Sequence, residues 1–81
     1  MKLMNLLERL EYTCIQGSVE REVTAVVSDS RKVTPGALFI CIRGAVVDGH
    51  TFAADVAEKG AAVLVVEEPV KVPDDVTVLL V

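Results

Sequence analysis

With 81 residues the chain can form one small domain, and folding at that length buries only roughly 60–65% of the surface an unfolded chain exposes. Eight Lys and Arg against twelve Asp and Glu give a net charge of -4, which excludes nucleic acid as a main partner because phosphate neutralisation needs a basic face. Hydrophobic residues make up 52% and aromatic ones only 4%, so the core must come from Val, Leu, Ile and Ala, a composition that favours strands.

Leu3, Leu6, Leu7 and Leu10 recur at three- and four-residue spacing among polar neighbours, which predicts a short amphipathic helix with one leucine face. Asn5, Glu8 and Arg9 interrupt the apolar run, so this is no signal peptide, and no segment approaches the ~20 apolar residues of a membrane span. Gly17 and Ser18 mark a loop. Glu22 to Ser28 is a first strand, followed by a polar turn from Asp29 to Gly36 in which Pro35-Gly36 suits the central positions of a type II turn. Ala37 to Ile42 is an uninterrupted apolar strand, covered on both faces.

Gly44 to His50 is a loop, and Thr51 to Lys59 a helix with Phe52, Val56 and Ala57 on its buried face, Lys59 complementing its negative end and Gly60 capping it. Ala61 to Val66 is a second buried strand, Glu67 to Asp75 a loop with Pro69 and Pro73, and Val76 to Val81 a final strand. Strand, helix and strand between Ala37 and Val66 form one βαβ unit with a right-handed crossover. The short link from Ser28 to Ala37 leaves antiparallel or irregular pairing open at the first strand. The expected fold is a small α/β domain of two or three layers, with about four mostly parallel strands and two main helices. The chain stops at Val81 inside an apolar strand, so it is expected to be the first domain of a longer protein.

Cys14 and Cys41 form no C-x-x-C pair, so neither a zinc set nor a redox motif is available, and Cys41 is expected to be a small buried hydrophobe. Gly44 to Thr51 has the glycine spacing of a P-loop, but His50 stands where the lysine would reach the terminal phosphates. The weaker expectation is an anion site where a parallel strand leads into a helix N-terminus. Its bland alternative is a chain reversal at Gly44 and Gly49 with Asp48 as a cap. Ser28-Asp29-Ser30-Arg31 offers two hydroxyls and a guanidinium for a uracil edge or a phosphate, near the same sheet end if the two strands pair as a folded-back unit. On the residues alone, a turn in which Asp29 or Ser30 bonds local backbone explains that stretch better.

The stretches D-S-R-K-V-T-P-G-A-L-F-I-C-I-R-G-A-V-V-D-G-H-T-F and A-E-K-G-A-A-V-L-V-V-E resemble the N-terminal domain of the Mur ligases, most closely the MurE type, UDP-N-acetylmuramoyl-tripeptide synthetase. The resemblance covers nearly the whole chain. It implies a domain, residues 1–81, that holds the UDP part of UDP-N-acetylmuramoyl-L-alanyl-D-glutamate. It places the ATP-binding and C-terminal domains of the implied full-length enzyme outside this chain. It further implies that ATP and Mg2+ serve the full-length enzyme and no cofactor this domain, that the fragment alone is inactive, and that the protein is cytoplasmic and works in peptidoglycan synthesis. The other partner it implies is the rest of its own chain.

Carried over by motif, the substrate-binding positions fall on Ser30, Ser28, Ala45, Val46 and Val47. The last three are apolar here, so contacts there would be backbone N–H bonds or packing. The resemblance carries over no catalytic residue and no metal ligand. The rival readings are the first domain of a MurF-type ligase and a non-enzymatic module that joins a partner through its sheet edge or leucine face.

Overall fold

The computed structural model describes residues 1–41 and 52–81. In chain order these form α1 (Leu3–Leu6), β1 (Thr13–Gln16), β2 (Val26–Val27), a 3-10 turn (Ser30–Lys32), β3 (Leu38–Ile40), α2 (Ala53–Glu58), β4 (Val63–Val66) and β5 (Thr77–Leu80). The five strands make one sheet in the order β1-β5-β4-β3-β2. The pairs β2–β3, β3–β4 and β4–β5 are parallel, and β1 joins β5 antiparallel. The expected set of mostly parallel strands is present, with β1 as an added edge.

Side chains along a strand alternate between faces, and here both faces are covered. Phe39, Cys41, Leu64, Val66 and Val78 pack with Ala53 and Val56 of α2. Leu38, Val63 and Leu79 pack with Leu3 and Leu7 at the other face. The domain therefore has three layers, and β3 and β4 read as continuous apolar runs because each needs an apolar residue on both sides. Phe39 is the bulkiest of the fully buried side chains, so one aromatic does join the aliphatic core.

Three details depart from the periodicity. The first helix has only four residues. Leu3 and Leu7 are buried, whereas Leu6 and Leu10 are 40% and 42% exposed. A helix this short has little stability of its own, and packing against the sheet uses only the i, i+4 pair. The chain then turns to enter β1, a strand the leucine pattern hides because its residues are mostly exposed. The first predicted strand, Glu22 to Ser28, contracts to Val26–Val27. Glu22 instead makes an isolated bridge with Lys2.

The turn chemistry agrees with the sequence. Gly36 has φ +85, and the Ala37 N–H donates to the Thr34 carbonyl at 3.0 Å, as a type II turn through Pro35-Gly36 requires. Lys59 ends α2 and Gly60 follows at φ +100.

Candidate functional site

The parallel strands all point the same way, so β2, β3, β4 and β5 end at one rim of the sheet. Val27 is level with Phe39, and Ile40 with Val65. Ser28 therefore leaves the sheet beside the end of β3. Cys41 follows at that same end, buried and with its N–H donated to the Val65 carbonyl at 2.8 Å. The chain then enters residues 42–51. The open question about the Ser28–Ala37 link is resolved: β2 and β3 are parallel, and the crossover is a 3-10 turn and a type II turn in place of a full helix. Had they folded back antiparallel, the carboxyl ends of β2 and β3 would lie at opposite rims.

The geometry of the Ser28–Arg31 turn comes from its aspartate. Asp29 caps the 3-10 turn: its carboxylate accepts from the Arg31 backbone N–H at 2.9 Å. It also accepts from Arg31 Nε at 3.1 Å and Nη2 at 2.9 Å, a bidentate pair. The Arg31 side-chain bonds, then its backbone N–H, hold the Asp29 carboxyl down at about 2. Arg31 is raised correspondingly by the same partner. The local-turn reading thus accounts for Asp29 and Arg31, and the guanidinium edge that could have met a phosphate is engaged by Asp29.

The two serines are left to offer their hydroxyls. Ser28 is exposed and Ser30 half-buried. The Ser30 carbonyl accepts from Lys59 Nζ at 3.1 Å, and the same ammonium pairs with Asp55 at 3.2 Å. The sequence gives Lys59 a place at the end of α2 but no hint that it reaches across to the crossover. Ala45, Val46 and Val47, together with Asp48, His50 and the P-loop-like run Gly44 to Thr51, lie outside the described residues. Glu67 and Glu68 follow β4 at the same rim.

Neither of two surface hollows contains the serine turn. One, of about 330 Å³, is apolar and lies between α1 and the sheet, lined by Leu6, Leu10, Val26 and Ile40 among others. The other, of about 360 Å³, lies beside the N-terminus and sets Lys2 and Arg21 against Glu20 and Glu22. Its mixed charge gives an anion no preference. The serine turn is a candidate because of strand topology and side-chain chemistry. Among the described residues no cluster of His, Cys, Asp or Glu could hold a metal ion, and no helix is long and apolar enough to cross a membrane.

A family model described as the Mur ligase family, catalytic domain, matches residues 22–80. The chain belongs to the Mur ligase family. It is 42% identical over 79 residues to the UDP-N-acetylmuramoyl-L-alanyl-D-glutamate–2,6-diaminopimelate ligase of Clostridium perfringens, covering 98% of this chain and 16% of that protein. The ligase of the same name from Clostridioides difficile is 44% identical over 72 residues, which is 89% of this chain and 15% of that protein. The chain thus spans about one sixth of the length of the curated relatives it matches. Among solved structures it is similar to MurF from Acinetobacter baumannii, with a TM-score of 0.65 and 30% identity over 73% of this chain and 13% of that one.

Proposed function

We propose that this Mur ligase segment is the domain that holds the uridine-diphosphate end of UDP-N-acetylmuramoyl-L-alanyl-D-glutamate. The full-length ligase then adds diaminopimelate to that substrate in the cytoplasm. The observation that carries the reading is the parallel β2–β3 pair, which puts the Ser28–Ser30 turn at the same rim as Cys41 and the end of β3. Rims at the carboxyl ends of parallel strands are where α/β sheets take ligands. The names of the relatives supply the substrate and the amino acid.

In this reading Ser30 and Ser28 meet the uridine or its phosphates through hydroxyls that both donate and accept. Asp29 and Arg31 shape the turn and touch no ligand. Ala45, Val46 and Val47 contribute backbone N–H groups or packing, as the family motif implies. Carboxylate activation by ATP and Mg2+ is assigned to the rest of the longer protein. No glycine in these 81 residues is followed by lysine, so a G-K-[ST] phosphate loop is not encoded here. The matching family model is described by its catalytic domain; the present assignment gives this segment the substrate-holding share of that enzyme.

The likeness to MurF favours a second reading, in which the full-length protein is a D-alanyl-D-alanyl ligase acting on a longer peptide. Identity of 42–44% with diaminopimelate ligases, against 30% with MurF, supports the first. Calorimetry with UDP-N-acetylmuramoyl-L-alanyl-D-glutamate should show saturable binding to the chain that Ser30→Ala weakens. No heat of binding for the wild type, or an unchanged Ser30→Ala variant, would count against the assignment. Full-length enzyme that couples D-alanyl-D-alanine and not diaminopimelate would turn the decision to the second reading.

A further inference from the structure

We infer that Lys59 is a positioning residue for the uridine site: from the far end of α2 it fixes where the Ser28–Ser30 turn sits. The inference rests on the assignment of Ser30 to the ligand. The bonds that Asp29 makes to Arg31 all lie within two residues. They set the shape of the turn and leave its location on the sheet undetermined. The later part of the crossover is located otherwise. Gly36 N–H donates to the Gly60 carbonyl at 2.8 Å, and Thr24 Oγ1 donates to the Pro35 carbonyl at 2.9 Å. For the earlier part, among the described residues, the Lys59 Nζ bond to the Ser30 carbonyl is the side-chain hydrogen bond that ties the turn to another element.

The ammonium is itself held in place. Asp55 lies four residues before Lys59 on α2, the favourable orientation for such a pair, at 3.2 Å. Asp55, Lys59 and the Ser30 carbonyl therefore form a strut from helix to turn. A flexible lysine stem is restrained at its tip, and the restraint bears on the peptide next to the proposed ligand hydroxyl. A side chain that acts this way changes ligand affinity by ordering the turn beforehand, with no contact to the ligand.

The test compares wild type, Lys59→Met, Lys59→Arg and Ser30→Ala of this chain, with UDP as the probe. Three readouts are taken: the amide spectrum without ligand, the UDP dissociation constant, and the thermal unfolding midpoint. Lys59→Met should move the Arg31 amide, whose N–H belongs to the same peptide as the Ser30 carbonyl. It should weaken UDP binding by roughly three- to tenfold, the range expected for one net hydrogen bond. Its midpoint should stay within a few degrees of wild type, and Lys59→Arg should restore both the amide position and most of the affinity.

Binding weakened by Ser30→Ala but untouched by Lys59→Met would overturn the role of Lys59 and leave the site assignment standing. So would an affinity loss that only tracks a lower midpoint, or an Arg variant that rescues nothing. A wild-type chain that does not bind UDP would overturn both.

Discussion

Replacing Gly60 with alanine tests the corner that locates the β2–β3 crossover. Gly60 has φ +100, and a Cβ added there would lie 2.9 Å from the Pro35 Cα, 3.3 Å from its Cβ and 3.4 Å from its Cγ. Two costs follow. The left-handed backbone costs an L-residue roughly 1–2 kcal/mol. The contact costs about another 1–2 kcal/mol, because the nearest atom is main chain and cannot rotate away. A loss of about 2–4 kcal/mol is large against the ~4–12 kcal/mol expected for a domain of this size. In urea, with a slope of roughly 1 kcal/mol per molar, the midpoint should fall by about 2 M or more, or the variant should be unfolded without denaturant. The double variant Pro35→Ala/Gly60→Ala should show no rescue, since alanine keeps the offending Cα. An unchanged midpoint for Gly60→Ala would refute the reasoning. Rescue in the double variant would show that the proline ring, and not the backbone, sets the distance.

Two further outcomes can be measured on the same protein. Thr77 is fully buried, its hydroxyl donating to the Ser18 carbonyl at 2.7 Å and accepting from the Ser18 N–H and Arg21 Nη1, each at 3.2 Å. Thr77→Val keeps the shape but strands those groups, so urea unfolding should register a loss of about 1–3 kcal/mol; a neutral substitution would mean that water replaces the hydroxyl. The Asp29 carboxyl should titrate at about 2 by carbon NMR. Its folded value is depressed, so its stabilising effect is complete above the ordinary value of 3.8 and is lost as pH falls toward 2. Arg31→Ala should return the titration toward 3.8, and an unmoved titration would contradict the bidentate pair.

The parts of the fold that a sequence displays are those in which one residue type does one job. The Ala37–Ile42 and Ala61–Val66 runs are legible because strands buried on both faces need apolar residues at every position. Pro35-Gly36 and Gly60 are legible because few other residues accept those backbone angles. β1 was not legible: Thr13, Cys14 and Ile15 are exposed, so burial leaves no alternating pattern. The leucine helix was overextended because four leucines matched its period while only Leu3 and Leu7 reach the core. At the site, the shared rim could be anticipated only if β2 paired parallel with β3, which sequence left open. The Asp29–Arg31 bonds were available as a local-turn alternative. The Lys59 contact was not, since it joins residues 29 positions apart through a side chain whose composition suggests only a solvated charge.

The most direct test of the shared cradle is a UDP titration of the isotope-labelled chain followed through its amide resonances. The account predicts saturable movements clustered at Ser28–Ser30 and at Gly44–Gly49, with the α1 face and β1 undisturbed. Movements confined to the apolar hollow under Leu6 and Leu10, or none at millimolar UDP, would contradict it.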